Sequence, residues 1–205
     1  MNHLRGKFIV LDGGEGCGKS TQAKMLVEAV NCAGIQTVLV RDPGATRVGE
    51  MIRGILLNPD NKEIGMRCEM LLYMASRAQM MHETILPALA AGKCVICDRF
   101  VSSTLAYQLG GDGLTAQDIR TVANVAISNR WPDITIIFDM PVHLSSARLD
   151  RPLDRIEQRP ISYHEQVRKN YLIQAKDSPS VHILEADRDP KLIHADVMKL
   201  LDALK

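Results

Sequence analysis

Between Leu11 and Thr21 the chain reads LDGGEGCGKST, four glycines gathered around one lysine. Gly13 and Gly18, with four residues between them and followed by Lys19 and Ser20, satisfy G-x-x-x-x-G-K-[ST], the spacing of a phosphate-binding loop. Glycines let the backbone N–H groups from Gly13 through Gly14, Glu15, Gly16 and Cys17 to Gly18 converge on an anion, and a helix starting there adds its positive dipole end. Lys19 would then reach the outer phosphates, and the Ser20 hydroxyl a Mg²⁺ ion. Cys17, beside a helix N-terminus, is either a thiol of lowered pKa or simply a small loop residue.

Further chemistry lies at CVICDRF, where an apolar run ends in Asp98 and Arg99. Open α/β sheets place ligands beyond the carboxyl ends of their strands. There Asp98 can act on a metal directly or through water, and Arg99 can offer a planar fork to phosphate oxygens. Alternatively the two pair with each other. The following STLAYQLGG supplies the Ser103 and Thr104 hydroxyls, Tyr107 and Gln108 for a nucleoside. In LLYMASRAQ, Tyr73 and Arg77 stand four apart, so a helix presents them on one side, able to stack on a base and hydrogen-bond its edge. The plainer reading is a core aromatic beside a solvated arginine.

Such residues need a scaffold. Short apolar runs near 7–12, 36–41, 94–98, 134–139 and 181–185 read as strands. Helical patterns occupy 18–32, 46–57, 66–90, 115–129, 142–150, 162–176 and 190–204. Their alternation predicts an α/β fold with a parallel sheet covered by helices on both faces. No repeat, low-complexity tract or linker divides the 205 residues, so one domain is expected. The irregular segment is LDRPLDRIEQRP, residues 149–160, rich in arginine, proline and carboxylate. It reads as an exposed, mobile excursion, or as a solvated charged loop without a role.

Composition excludes several classes. With 46% apolar and 24% charged residues and a net charge of +1, the chain has no electrostatic footprint for extended nucleic-acid or anionic-membrane binding. No apolar run approaches the roughly 18 residues of a membrane span. Residues 1–6 lack a signal-peptide core, and five cysteines give no disulfide framework, which together point to the cytoplasm. Cys94 and Cys97 have C-x-x-C spacing, but residues three apart in a strand face opposite ways and cannot readily share a metal.

Taken together these segments resemble the thymidylate kinase family. The matching stretches are FIVLDGGEGCGKSTQ, RDPGATRVGEMIR, LLYMASRAQ, LPALAAGKCVICDRFVSSTLAYQ, PDITIIFDMP and LDRIEQ, in the family's order along nearly the whole chain. The resemblance implies a nucleoside-monophosphate-kinase-like P-loop fold with a five-stranded parallel sheet, usually a homodimer, transferring phosphoryl from ATP to dTMP with Mg²⁺. It brings Gly13 to Ser20, with Thr21, to the ATP phosphates, and Glu15 near the acceptor sugar and metal. Arg53 and Arg99 match the arginines that grip the acceptor phosphate, Tyr73 the aromatic stacked on thymine, Arg77 and Thr104 the readers of the base edge, and Tyr107 the tyrosine against the deoxyribose.

The chain departs from the family pattern at several points. Asp42 stands where glutamate is common, Ala45 replaces the second glycine of PGGT, Phe100 replaces a tyrosine, and Tyr73 a frequent phenylalanine. Some members carry an arginine inside the phosphate loop where this chain has Gly16. In the other branch the 148–160 segment is a lid that supplies the charge, making Arg148, Arg151 and Arg155 the candidates here, with Arg151 and Arg155 as the catalytic pair. Two alternatives stay open on sequence grounds: a kinase for another deoxynucleoside monophosphate or for a deoxynucleoside, and a nucleotide-binding switch that holds ATP or GTP without transfer. A guanine-reading NKxD stretch is missing from the sequence, which disfavours the switch.

Overall fold

A computed structural model describes residues 1–204. Five strands, β1 (Phe8–Gly13), β2 (Thr37–Arg41), β3 (Cys94–Asp98), β4 (Ile134–Asp139) and β5 (Val181–Glu185), form one parallel sheet in the order β2-β3-β1-β4-β5. Alternation along β1 divides its side chains between two core layers. Ile9 and Leu11 pack with Leu26 and Val30 of α1 (Lys19–Cys32) and with Val197 and Leu201 of α9 (Pro190–Asp202). Phe8 and Val10 pack with Met70 and Met74 of α3 (Met66–Met80) and Ile119 and Ala123 of α6 (Ala116–Ala126).

The same alternation separates the two cysteines of C-x-x-C. Cys94 lies in the first layer and Cys97 in the second. Burial pushes the Cys94 thiol up to about 12 and the Cys97 thiol well above its usual range, so both are held as thiols.

β1 sends α1 to one face of the sheet, and β3 sends α5 (Val101–Tyr107) to the other. The carboxyl ends of β1 and β3 therefore part into a crevice. Into it run the loop at 13–18, the β3 end at Asp98, and a wall made of α2 (Arg47–Leu57) and α3. Thr46 caps α2, its Oγ1 accepting from Gly49 N at 2.9 Å.

Three helical expectations change. The stretch 66–90 is one continuous helical run but is not α throughout. After α3 the ladder widens to a π turn at Met81–Ile85 before α4 (Leu86–Ala90), where Pro87 supplies no N–H and crowds the carbonyl four residues earlier. Residues 115–129 are helical only over Ala116–Ala126, since Ser128 and Asn129 take positive φ. The segment 142–150 is helical only in α7 (Val142–Ser146), and further on Pro152 disfavours a helical conformation at Arg151.

Residues 149–160 are also more ordered than an exposed excursion. Asp154 Oδ1 accepts from Ile156 N and Glu157 N, and Glu157 Oε2 accepts from Asp154 N, which locks one turn in the manner of a capping box. Arg155, Ile156 and Glu157 are buried, Ile156 against Tyr107, Val167 and Tyr171. Pro160 then opens α8 (Ile161–Asp177).

Candidate active site

The crevice encloses a cavity of about 640 Å³. Its lining brings together most of the residues singled out from the sequence: Glu15, Gly16, Gly18, Lys19, Ser20 and Thr21 from the loop, Arg53 and Tyr73 from α2 and α3, and Arg77, Asp98, Arg99, Ser103, Thr104, Tyr107, Gln108, Arg148 and Arg151. Gly13 and Cys17 lie beneath the loop, and Gly14 faces a neighbouring groove under α7. Arg155 is absent from the lining.

At the phosphate end, Lys19 Nζ donates to Gly14 O at 2.6 Å and Gly13 O at 3.2 Å, which holds the ammonium at the loop mouth. Gly13 takes φ +136°, and a Cβ there would meet Phe138 O at 2.5 Å, so only glycine lets β1 turn so close to β4. Ser20 Oγ donates to Asp98 Oδ2 at 2.9 Å. That pair of hard oxygen donors, beside the phosphate loop, suits Mg²⁺.

Arg99 is held by several partners at once. Its φ is +71°, an unusual region for a side-chain-bearing residue. The conformation is held because Nη2 donates to Glu15 Oε1 at 2.6 Å while Nη1 donates to Gly13 O at 2.9 Å, Ser103 Oγ at 3.0 Å and Tyr171 Oη at 3.2 Å. The guanidinium also lies 5.3 Å from the centre of the Tyr107 ring. Burial opposes both charges of the Arg99–Glu15 pair, yet mutual attraction outweighs it. Arg99 is raised well above its usual range, and Glu15, attracted by Arg99 and then Lys19, is held down to about 2.

The sequence does not single out Asp12 or Tyr171, which organise this cluster. Asp12 is fully buried and accepts from Ser102 Oγ, from Ser103 Oγ at 2.7 Å and from Tyr171 Oη at 2.6 Å. A carboxylate one residue ahead of the glycine loop is the available signal, but the side chains that donate to it are 87 to 159 residues away.

At the other end, Tyr73 faces the cavity above Arg77, which is 1% exposed. Arg77 is therefore no solvated arginine. Its Nε donates to Asp42 Oδ2 at 2.6 Å, its Nη2 to Phe100 O at 3.1 Å, and Thr104 Oγ1 lies 3.4 Å from both terminal nitrogens. The guanidinium sits 5.1 Å from the Phe100 ring centre, so phenylalanine there supplies a π-face beneath it. Asp42 is the other residue the sequence underrated. Its Oδ1 is buried without a hydrogen-bond partner, and burial, only partly offset by Arg77, raises its carboxyl. Arg53 Nη1 donates to Pro43 O at 3.0 Å, and Tyr107 Oη donates to Glu15 at 3.2 Å.

The arginines of 148–160 have divergent fates. Arg151 is half-exposed at the cavity, with Nη2 donating to Glu157 Oε1 at 2.5 Å and Nη1 to Oε2 at 2.8 Å. Arg148, also at the cavity, reaches Asp187 at 3.2 Å. Arg155 is buried, Nη2 2.5 Å from Glu69 Oε2 and Nε 2.7 Å from Leu56 O. This arrangement gives Arg155 a place in the protein interior, in contrast to the cavity-facing position expected of a catalytic arginine.

A cavity lined by a P-loop lysine, an aromatic ring and a buried arginine can hold a polyphosphate and a planar heterocycle. Comparison with known proteins identifies the family. The sequence model of the thymidylate kinase family matches residues 11–197. The thymidylate kinase of Exiguobacterium sibiricum is 39% identical over 199 residues, 96% of this chain and 94% of that protein. That of Pelotomaculum thermopropionicum is 42% identical over 200 residues, 96% and 93% of the two chains. The crystal structure of thymidylate kinase from Ehrlichia chaffeensis superposes with a TM-score of 0.79 at 30% identity, covering 97% of this chain and 99% of that one.

Proposed function

The chain belongs to the thymidylate kinase family and is an ATP-dependent dTMP kinase yielding ADP and dTDP, and we propose that it works chiefly by positioning and charge neutralisation within the one cavity. The observation that carries this reading is the convergence of Lys19 of the phosphate loop and the Tyr73 and Arg77 pair on one cavity. ATP phosphates lie along Gly13 to Thr21, and the acceptor phosphate is gripped by Arg53 and Arg99. Tyr73 stacks on thymine, Arg77 and Thr104 meet its edge, and Tyr107, with Glu15, Ser103 and Gln108, borders the sugar.

No strong base is required, because the attacking phosphate oxygen is already anionic at neutral pH. Lys19 and the cavity arginines stabilise charge as the phosphoryl group passes between the two oxygens. Ser20 and Asp98, directly or through water, would hold Mg²⁺, which when bound neutralises phosphate charge. Arg151, at the cavity rim, would add charge from the lid.

We also propose one domain over 1–205 with a lid near 148–160, a cytoplasmic location and a homodimer. Exposed Met51 and Ile55 on α2, Leu71 on α3 and Val125 on α6 support the dimer, since these helices pack side by side and leave an apolar face open. No described helix is long and apolar enough to cross a membrane. The function is tested by incubating the chain with ATP, Mg²⁺ and a panel of nucleosides and monophosphates. Consumption of dTMP above all others is expected, and preferential use of a nucleoside or of ATP alone would overturn the reading.

A further inference from the structure

Glu69 is a fully buried carboxylate that the reaction itself does not use. It shares a face of α3 with Tyr73 and Arg77, at successive four-residue steps. Oε1 accepts from Gln108 Nε2 at 2.8 Å, and Gln108 lines the acceptor end of the cavity. Oε2 accepts from two arginines of the lid, Arg155 Nη2 at 2.5 Å and Arg159 Nη2 at 2.7 Å. Charge balance in the interior asks for only one of these cations.

The second arginine extends the connection. Arg159 Nη1 donates to Tyr163 Oη at 2.5 Å, and Tyr163 Oη donates to the carbonyl of Tyr107 at 2.8 Å. Arg155 meanwhile ties to the end of α2, through Nε to Leu56 O and through its backbone N to Leu57 O at 3.1 Å. Both ends of the locked turn 154–159 are thus fastened to the wall of the acceptor site. From the middle of that turn Glu157 holds Arg151 by two hydrogen bonds.

We propose that Glu69 is a positioning residue that couples occupancy of the acceptor site to the placement of the lid, and so of Arg151, over the ATP phosphates. An acceptor seated against Gln108 and Tyr107 orders the two groups that reach the lid through Glu69 and Tyr163. A lid ordered around ATP orders the same groups from the other side. The coupling is reciprocal, as any linkage of two binding equilibria must be. The inference rests on the assignment of the acceptor end to dTMP.

The test measures binding of a non-hydrolysable ATP analogue with Mg²⁺ by calorimetry, with and without saturating dTMP, in wild type and in Glu69→Gln. The wild type is expected to bind the analogue at least about fivefold more tightly when dTMP is present. In Glu69→Gln that ratio should fall below about twofold, a change that loss of stability alone does not produce in a variant whose melting curve shows it folded. Gln108→Leu, which cuts only the acceptor side and spares the buried ion pairs, should lose the ratio too, and decides the matter if Glu69→Gln does not fold. A folded variant that keeps the wild-type ratio overturns the proposal, as does a wild type that binds dTMP and shows no ratio. A wild type that does not bind dTMP at all overturns the acceptor assignment and the coupling with it.

Discussion

Arg99 Nη2 stands 2.6 Å from Glu15 Oε1, so that the end of β3 and the phosphate-binding loop are joined by one ion pair. The pair sets a pH dependence. Glu15 has its carboxyl at about 2 against an ordinary 4.5, so its stabilising contribution is complete above about pH 4.5 and is lost as pH falls toward 2. The shift corresponds to roughly 3 kcal/mol. Urea unfolding of wild type and Glu15→Gln should therefore show a stability gap that is constant from pH 5 to 8 and narrows by more than half at pH 3. A gap that is the same at pH 3 and pH 7 would show that Arg99 does not hold this carboxylate.

Lys19 presents its ammonium at the loop mouth through two loop carbonyls. Lys19→Ala should lower turnover by several orders of magnitude, because the charge serves the transferring phosphoryl group more than any ground-state contact. Its melting temperature should stay near that of wild type. A folded variant with most of its activity would remove the phosphate-loop assignment.

The acceptor end makes a quantitative claim about selectivity. With Tyr73 as a stacking face and Arg77 clamped by Asp42 and Phe100, the base edge meets fixed donors. dTMP should be preferred strongly over dCMP, but over dUMP only by the roughly 1–3 kcal/mol that one methyl group supplies. Comparison of kcat/KM for the three, and for UMP, checks this. Equal use of UMP and dTMP would displace Tyr107 from the sugar, and efficient use of dCMP would undo the role of Arg77 and Thr104.

Ala45 has φ +62°, and its N–H donates to Glu50 Oε1 at 3.0 Å. The turn before α2 thus requires a conformation that costs an L-residue about 1–2 kcal/mol, against roughly 0.5–1 kcal/mol of extra chain entropy for glycine. Ala45→Gly should raise stability by about 0.5–1 kcal/mol, read as a higher urea midpoint at unchanged slope. A midpoint at or below the wild-type value would mean that the strain is relieved elsewhere.

What could be read from the chain follows how local each feature is. The phosphate loop, the five strands and the Tyr73 to Arg77 spacing declare themselves within a few residues, through turn chemistry and periodicity. Even the replacement of glycine by Ala45 flags a strained turn. Asp12 and Tyr171 do not, because their meaning is a hydrogen bond spanning 159 positions. Asp42 looks like a shortened glutamate until Arg77 is seen to close on it. Arg151 and Arg155 have similar surroundings in the sequence, and only Glu69, 86 positions upstream of Arg155, separates them.

That separation yields the last expectation, which begins with Gly16. A Cβ at residue 16 would lie 2.2 Å from the carbonyl oxygen of Ser145 on α7, so a side chain in the loop at this point cannot be accommodated without moving α7. Additional charge for the transferring group must then come from outside the loop, and the lid is placed to supply it. Arg151 at the cavity rim is the side chain positioned for this, and its loss should fall on kcat by about 10³ with far less change in the KM for ATP. Arg148, shared with Asp187, should show a milder version of the same pattern. Arg155→Ala should behave differently. It removes one of two arginines from Glu69, which keeps Arg159, and leaves the Leu56 carbonyl without its side-chain donor, so the expected result is a stability loss of about 1–3 kcal/mol. Steady-state kinetics at saturating dTMP, paired with urea unfolding of each variant, separates the roles. If Arg151→Ala and Arg148→Ala both keep kcat within about threefold of wild type, the lid is not the source of the charge; if Arg155→Ala is as stable as wild type and loses kcat instead, Arg155 leaves Glu69 during turnover and is itself the catalytic arginine.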